Sequence, residues 1–459
     1  MSTSPSGSDP LLPLLGQAPF PRSAWATRPL RLFLARLLGR LQCGAIAIEL
    51  PGGERLEARG PVPGPHACLV LHRWRALARL LLQGDIGLAR SYRDGDWSSP
   101  DLHALLDFGI RNEAGWSGDV DAIRPLRWLW RLRHLAQRNS RRGSRDNIAF
   151  HYDLGNDFYS LWLDAELNYS SGLQTHGTAS LEEAQDAKRR RVIELLAPYE
   201  GAAVLEIGCG WGALALALAR DHGARVTGLT LSAEQLAHAR RCAAGHGLQD
   251  RLDLRLQDYR DVEGRYDRIV SIEMLEAVGE RYWPTYFDAL RERLAPGGVA
   301  VLQVITIDDA HFEHYRAGAD FIQCFIFPGG MLPSWRALQK QAARAGLAIE
   351  RVQTFGSSYA ATLAEWRSRF QRAWPAIQAL GFDESFRRLW EYYLCYCEAG
   401  FRAGRIDVGL YVLRHGEEPN ALSGDPAHPA LSRRPASDSG SCIPRQSVES
   451  CPPRLRGPR

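Results

Sequence analysis

The stretch Val204-Leu205-Glu206-Ile207-Gly208-Cys209-Gly210-Trp211-Gly212-Ala213 decides the fold of this chain. Apolar residues 202–205 predict a short buried strand, and the alanine-rich residues 214–219 begin a helix directly after the turn. Three glycines at every second position predict a tight turn in which the backbone approaches a ligand closely. The free N–H groups of the helix N-terminus lie beside that turn. A strand, a glycine turn and a helix in this order indicate a nucleotide-binding site.

Two features of the neighbouring sequence favour S-adenosylmethionine (SAM) over a dinucleotide. Gly208, Gly210 and Ala213 also satisfy the loose dinucleotide pattern, but Glu206 stands inside the motif, two residues before its first glycine. About 20 residues further on, where a dinucleotide site has its ribose-binding acid, the chain reads Val226-Thr227-Gly228-Leu229-Thr230. The pattern acid-x-Gly-x-Gly-x-Gly resembles the SAM loop of class I methyltransferases. A purely structural glycine turn is the alternative.

The composition is typical of a globular protein with more than one domain. The 459 residues are 45% hydrophobic and 24% charged, with a net charge of +4. This small charge argues against bulk nucleic-acid binding. Lys188 and Lys340 are the only lysines among the 56 basic residues, so the others are arginines. The nine cysteines show no zinc-site spacing, which predicts no metal site and a reducing, cytoplasmic compartment.

Four segments are predicted along the chain. They are a disordered N-terminus (1–30), a small accessory domain (31–135), a catalytic domain (136–415) and a disordered, Pro- and Ser-rich tail (416–459). Within residues 124–145, tryptophans alternate with arginines, which is typical of a segment in the head-group zone of a membrane. A solvated interdomain linker is the alternative. No apolar run approaches the roughly 20 residues that span a bilayer, so membrane contact is expected to be peripheral.

Strands and helices alternate through the catalytic region, which predicts an α/β fold with a doubly wound, mainly parallel seven-stranded sheet. The predicted strands are 203–207, 225–229, 252–256, 267–272, 299–306, 348–354 and 406–413. The predicted helices are 213–222, 233–246, 280–294 and 334–345. The accessory domain is predicted to be α+β, with helices at 32–41 and 74–82, strands at 45–50 and 67–71, and turns over 84–97.

Several motifs in order resemble the cyclopropane-fatty-acyl-phospholipid synthase family, which includes the mycolic acid cyclopropane synthases. The motifs are the glycine loop together with Asn147–Tyr159, Leu163-Asp164, Tyr169–Ser171, Gly228–Gln235, Asp258–Arg260, Tyr266–Glu276, Ser358–Trp366 and Tyr396–Phe401. The resemblance implies a SAM-dependent enzyme that adds a methylene unit to a cis double bond of phospholipid acyl chains, forming cyclopropane fatty acids. It also implies that the accessory domain meets the membrane, on the inner face of the cytoplasmic membrane, and that the chain forms a homodimer.

The resemblance further implies which residues hold SAM. Tyr169 and Ser170 flank the cofactor, and the glycine loop wraps its methionine part. Thr230 and Gln235 lie near the ribose, and Tyr259 lies near the adenine. The complete predicted set is Tyr169, Ser170, Glu206, Gly208, Cys209, Gly210, Trp211, Gly212, Thr230, Ser232, Gln235, Asp258 and Tyr259.

Methyl transfer to an alkene creates a carbocation that must lose a proton, and in the family a bound bicarbonate accepts it. The residues at the positions that hold this anion are implied to be catalytic: Glu276, Tyr359, Ser171, Gln303 and Ile305. Two of them depart from the family pattern, because Ser171 replaces a cysteine and Gln303 replaces a histidine. Serine and glutamine still donate hydrogen bonds, but glutamine carries no charge and therefore holds an anion less well.

These departures leave the product open. The alternative to a cyclopropane is a methylene- or methyl-branched chain, formed when proton loss is redirected after a hydride shift. Glu276 could itself be the base if its pocket raises its pKa. Phe321, Phe325, Phe327, Met331 and Leu332 are candidates for a dry acyl channel, with ordinary core packing as the alternative.

Three other functions fit the sequence less well than lipid C-methylation does. Methylation of a small soluble metabolite is disfavoured by the basic, tryptophan-bearing segment and the accessory domain. A non-catalytic lipid-binding scaffold is disfavoured because Glu206, Gln235, Glu276 and Tyr359 are all retained. Nucleic-acid methylation is disfavoured by the small net charge and by the lack of a target-recognition module.

Overall fold

A computed structural model describes residues 24–120, 154–175, 177 and 180–416 of the chain. The basic segment 124–145, most of the predicted N-terminal extension and the tail after residue 416 lie outside these described residues, as does the first half of the motif Asn147–Tyr159. The predictions made for them therefore stay predictions.

The N-terminal region builds a four-stranded sheet with three helices, as predicted for an α+β unit. The strands, in the spatial order β2-β1-β3-β4, are β1 (Cys43–Glu49), β2 (Arg55–Arg59), β3 (Val62–Leu71) and β4 (Trp97–Ser98). The helices are α1 (Ala24–Leu38), α2 (Arg75–Arg93) and α3 (Leu102–Val120). In β1, alternate side chains are buried, which matches a sheet with one face on the core.

The prediction of turns over residues 84–97 was wrong for most of that stretch. Helix α2 continues to Arg93 and is kinked at Gly84, which has φ +62 and ψ −140. At Gly84 itself the backbone is not helical, so two helical segments meet at a break there and the predicted turn is present at that residue.

The catalytic region forms the predicted seven-stranded sheet. Its strands are β5 (Ala203–Ile207), β6 (Arg225–Thr230), β7 (Leu252–Leu256), β8 (Tyr266–Ile272), β9 (Leu294–Ile307), β10 (Leu347–Thr354) and β11 (Ile406–His415). They lie in the order β10-β11-β9-β8-β5-β6-β7, and only β11 runs antiparallel to its neighbours. The α/β, mainly parallel fold is therefore confirmed.

Helices connect and cover these strands. They are α4 (Asn156–Ser160), α5 (Leu181–Leu196), α6 (Ala213–His222), α7 (Ala233–Gly245), α8 (Leu275–Val278), α9 (Trp283–Arg293), α10 (Asp309–Ala317), α11 (Phe321–Phe325), α12 (Trp335–Arg344), α13 (Gly356–Ala379) and α14 (Glu384–Arg402). Because parallel strands share an orientation, the loops after β5, β6 and β8 meet at one edge of the sheet, where ligands bind in such folds.

The two sheets are linked through helix α14. Tyr92 of α2 donates a 3.0 Å hydrogen bond to Glu391, and its ring lies 5.8 Å from that of Tyr392. Trp97, which is fully buried, contacts Tyr392 edge-on. The described residues belong to one compact unit. Among them, no helix combines the length and apolar character that a membrane crossing requires.

Candidate functional site

The glycine loop is built as the sequence predicts. Strand β5 ends at Ile207, and Gly208, Gly210 and Gly212 all adopt positive φ angles of +82, +54 and +93. Helix α6 begins directly afterwards at Ala213. Positive φ is inexpensive only for glycine, so the loop conformation explains why glycines stand at these three positions.

A cleft opens above this loop, and ten of the predicted cofactor-binding residues line it. They are Tyr169, Ser170, Glu206, Gly208, Cys209, Gly210, Trp211, Thr230, Gln235 and Tyr259. The segments come from four separate parts of the chain, which the sheet brings together at the edge described above.

Three predicted cofactor residues do not form the cleft wall. Ser232 caps helix α7, because its hydroxyl accepts the Gln235 N–H at 3.3 Å. Asp258 is occupied by Arg260, whose Nε lies 2.8 Å from the carboxylate. Gly212 faces helix α7, where an added Cβ would lie 2.9 Å from that of Ala239.

The amide of Gln235 is held in place by its neighbour on β6. The Thr230 hydroxyl donates a 2.8 Å hydrogen bond to the Gln235 Oε1, and both side chains are buried. This bond orients the amide and leaves its NH2 group as a donor at the cleft.

Glu206 is the most unusual side chain of the cleft. It is only 3% exposed, and its Oε2 atom has no hydrogen-bond partner among the described residues. Burial raises the pKa of Glu206 to about 8, although the Lys188 charge and the Ala215 N–H act in the opposite direction. An unpaired buried carboxyl at a cleft wall is poised to accept a cationic or donating ligand group.

Lys188 on α5 is the buried cation of the site. Its ammonium donates a 2.8 Å hydrogen bond to the hydroxyl of Ser170. Burial lowers the pKa of Lys188, and the charges of Glu273, Asp164 and Glu206 raise it. No role was predicted for Lys188, although a lysine in a chain that otherwise uses arginine is a usable signal.

Tyr169 forms an aromatic wall on the other side of the cleft. Its ring centroid lies 5.5 Å from that of Tyr159, 5.6 Å from Trp162 and 5.4 Å from Trp366. Its hydroxyl lies 2.9 Å from the hydroxyl of Tyr393. Such clustered rings exclude water and present π-faces that attract cations.

Three of the five predicted catalytic residues, Ser171, Gln303 and Tyr359, contact a carboxylate that was not among the predicted site residues. Glu273 Oε1 accepts hydrogen bonds from the Ser171 N–H at 2.9 Å and from Gln303 Nε2 at 2.7 Å. Its Oε2 accepts a 2.7 Å hydrogen bond from the Tyr359 hydroxyl. Glu273 follows β8 directly, and it lines the cleft beside Ile272 and Met274.

Glu276 and Ile305 form a separate contact with each other. The Ile305 N–H donates to Glu276 Oε1, while Oε2 is buried without a hydrogen-bond partner among the described residues. Burial, and then the charge of Glu273, raise the pKa of Glu276 to about 8. Glu276 is therefore mostly protonated at neutral pH, and it is absent from the described residues that line the cleft.

The candidate channel residues differ in environment. Phe321 is fully buried, with its ring 4.8 Å from Tyr392 and 5.7 Å from Tyr396, which is ordinary core packing. Phe327 is partly exposed, and its ring lies 6.3 Å from that of Tyr393, which in turn contacts Tyr169. Among the two, Phe327 is the better candidate for contact with a substrate chain.

Comparison with known proteins identifies relatives for most of the chain. Residues 139–410 match the profile of the family described as Mycolic acid cyclopropane synthetase. The chain is 41% identical over 360 residues to the tuberculostearic acid methyltransferase UfaA1 of Mycobacterium tuberculosis, a match that covers 75% of this chain and 82% of the relative. It is 36% identical over 345 residues to the cyclopropane-fatty-acyl-phospholipid synthase of Escherichia coli K12, covering 74% and 86% of the two chains.

A solved structure agrees with these matches. The mycolic acid cyclopropane synthase CmaA1 complexed with SAH and CTAB superimposes with a TM-score of 0.55 at 31% identity. The superposition covers 59% of this chain and 97% of that structure.

Proposed function

Because the chain belongs to the mycolic acid cyclopropane synthetase family, we propose that it methylates the double bond of an unsaturated acyl chain carried by a membrane phospholipid. The family assignment makes the chain a SAM-dependent methyltransferase, with SAM as its cofactor. One observation carries the choice of substrate. The cleft has the glycine loop on one side, and on the other it has clustered aromatic rings and the Glu273 carboxylate.

The described residues fit SAM. The unpaired Oε2 of Glu206 offers a place for a cationic group, and the Gln235 NH2 offers a hydrogen-bond donor. The glycine loop lies close against the segment after β8, since a Cβ added at Gly208 would lie 2.3 Å from the Met274 Sδ. When bound, SAM supplies an electrophilic methyl group, and an alkene is a weak nucleophile, so alignment contributes most to the reaction.

The aromatic wall suits the intermediate of this reaction. Methylation of an alkene leaves a carbocation on the acyl chain, which water would capture. Tyr169 and the rings packed around it keep water away and present π-faces to the positive charge.

We favour a methylene-branched product over a cyclopropane. The support is the 41% identity to a protein named as a tuberculostearic acid methyltransferase, together with Ser171 and Gln303 at positions where the cyclopropane synthase pattern has cysteine and histidine. In this route a hydride shifts to the first cationic carbon, and the added methyl group then loses a proton to form the methylene.

Cyclopropane formation is the second candidate, supported by the 36% identity to a cyclopropane-fatty-acyl-phospholipid synthase. Here the added methyl group loses a proton without a hydride shift, and the electrons of the broken C–H bond close the ring. Both products gain one CH2 unit, so mass alone does not distinguish them.

Proton NMR of fatty acid methyl esters decides between the products. The host should make unsaturated phospholipids, lack a cyclopropane synthase of its own and lack a reductase for methylene chains. We expect a mass gain of one CH2 unit with vinylic methylene signals. Upfield ring protons would instead establish the cyclopropane. The same host carrying the Gly208→Ala variant is the control, and an unchanged lipid profile with the wild-type protein would contradict the proposal.

Access to phospholipid requires contact with the membrane, and the N-terminal region carries suitable side chains. Leu32, Val62 and Leu82 are 55%, 57% and 48% exposed. We therefore propose peripheral membrane contact through this region, which predicts that the protein sediments with anionic vesicles. Leu32→Asp and Val62→Asp should weaken sedimentation, whereas Tyr199→Asp, at an exposed position of the catalytic region, should not.

The raised pKa of Glu206 predicts that SAM binding releases a proton. Without cofactor, Glu206 is mostly protonated at pH 7 because its pKa is about 8. A cation bound beside it favours the carboxylate, so SAM affinity should rise with pH below 8, by at most about tenfold per pH unit for one linked proton. Calorimetry in buffers of different ionisation enthalpy measures the released proton directly.

Glu206→Gln is the control for this linkage, because the amide has the same shape and does not titrate. The variant should bind SAM more weakly and release no proton from this position. Equal proton release by the variant and the wild-type protein would mean that another group, such as the amino group of SAM itself, is responsible.

A further inference from the structure

The cleft holds its own carboxylate where a family member would hold bicarbonate. An anion there needs free donors, and the natural donors are the Ser171 N–H, Gln303 Nε2 and the Tyr359 hydroxyl. All three already donate to Glu273, at 2.9, 2.7 and 2.7 Å. The Ser171 hydroxyl is also engaged, since it donates to the Gly172 carbonyl at 2.8 Å.

Charge argues in the same direction as these hydrogen bonds. A second anion would lie against the Glu273 carboxylate, and like charges at such distances repel strongly away from bulk water. The charge of the buried cation Lys188 already interacts with Glu273, and also with Asp164 and Glu206. The described residues therefore do not fit bicarbonate.

On this basis we propose that Glu273 is itself the base that removes the proton from the methylated acyl chain, so that the enzyme needs no bicarbonate. The inference rests on the proposed function. In the step, a C–H bond of the added methyl group breaks and its proton bonds to a carboxylate oxygen of Glu273. The electron pair of the broken bond forms the methylene double bond, or closes the ring in the cyclopropane route.

The backbone holds Glu273 in an unusual conformation for this purpose. It is one of three non-glycine residues with positive φ in the described chain, at +50, and strained backbone of this kind clusters at functional sites. Its N–H donates to the Gln303 carbonyl at 2.8 Å, and the Gln303 side chain donates to its carboxylate. Gln303 therefore holds both the backbone and the side chain of Glu273. This conformation directs the carboxylate to the cleft wall.

The surrounding groups are suited to assist Glu273. Burial and the charge of Glu273 raise the pKa of Tyr359 well above its usual value, so the phenol remains a donor. Burial raises the pKa of Glu273, and its hydrogen bonds oppose that rise. Glu276, the other carboxyl nearby, is mostly protonated at neutral pH and is therefore a poor proton acceptor.

Two variants of the full chain test the proposal. Glu273→Gln keeps the shape and removes the basic oxygen, and Glu273→Gly opens an anion-sized space while tolerating the positive φ. Each should form product at least about 100-fold more slowly, the usual contribution of a general base. Their dissociation constants for SAM should stay within about threefold of wild type, and the exposed Glu263→Gln should behave as wild type.

Added anions provide a readout that a structural role would not give. Formate or bicarbonate should restore product formation by Glu273→Gly at least tenfold and leave the wild-type rate unchanged in CO2-depleted buffer. NMR with [13C]bicarbonate should detect binding to Glu273→Gly and none to the wild-type protein. The NMR measurement needs neither substrate nor turnover, so it remains informative if the proposed lipid reaction fails.

Bicarbonate dependence or bicarbonate binding by the wild-type protein would overturn the proposal. So would retention of more than a tenth of wild-type product formation by Glu273→Gln. Absence of any methylated lipid with the wild-type protein would instead refute the proposed function, and that outcome is distinguishable because the wild-type arm is measured first.

Discussion

Replacing Lys188 with methionine is expected to lower the free energy of unfolding by about 3 kcal/mol at pH 8, the usual cost of removing one partner from a buried charge cluster. Lys188 is 5% exposed, and Glu273, Asp164 and Glu206 all interact with its charge. Methionine has a similar shape, so the loss comes from the missing charge and from the missing hydrogen bond to Ser170.

The destabilisation should shrink at pH 5. Without the ammonium, the pKa of Glu273 in the folded protein rises further above its unfolded value. A carboxyl with a raised pKa destabilises the fold increasingly as the pH rises from the unfolded pKa to the folded pKa. Burial lowers the pKa of Lys188 in the folded protein. The free-energy cost of burying this charge is therefore largest at low pH, where the wild-type ammonium is fully protonated. Both effects make the difference between variant and wild type larger at pH 8 than at pH 5.

Lys340→Met is the matched control, because Lys340 is the other lysine of the chain and is exposed on α12. Chemical denaturation of both variants at the two pH values measures the effect. A Lys188→Met protein as stable as Lys340→Met at pH 8 would mean that the carboxyls of the cleft are protonated and need no cation.

The geometry of the glycine-loop side of the cleft could be predicted from sequence. The glycine loop and the strand before it are local features, since each conformation follows from residues adjacent in the chain. Ten predicted cofactor residues line the cleft for this reason. Ser232 and Asp258 belong to the same motifs but serve a helix cap and an ion pair with Arg260, and sequence spacing does not separate such roles from ligand contacts.

The arrangement around Glu273 could not be predicted to the same extent. Glu273 and Glu276 lie three residues apart in one motif, and the family pattern directs attention to Glu276. Which carboxylate reaches the cleft depends on the positive φ of Glu273 and on Gln303 from β9, which is distant in sequence. The departures at Ser171 and Gln303 were visible in the sequence, but only their common contact with Glu273 connects them.

Gly208→Ala is expected to raise the dissociation constant for SAM by at least about 100-fold, the second large effect. Alanine at φ +82 is strained by about 1–2 kcal/mol. We expect the loop to relax when no cofactor is bound, so that SAM binding must restore the strain, which corresponds to roughly tenfold in the dissociation constant. Its Cβ would also lie 2.3 Å from Sδ and 2.4 Å from Cγ of Met274, so that side chain must move. Since Met274 follows Glu273 directly, the displacement reaches both walls of the cleft.

Gly210→Ala separates strain from collision. Gly210 lies in the same loop at φ +54, but no atom lies within 4 Å of an added Cβ. We therefore expect about a tenfold loss of SAM affinity from strain alone. Calorimetry gives both dissociation constants, and circular dichroism checks that both variants are folded. Equal losses at the two positions would show that Met274 moves aside freely, and the close fit between the glycine loop and the Glu273 segment would then have no part in cofactor binding.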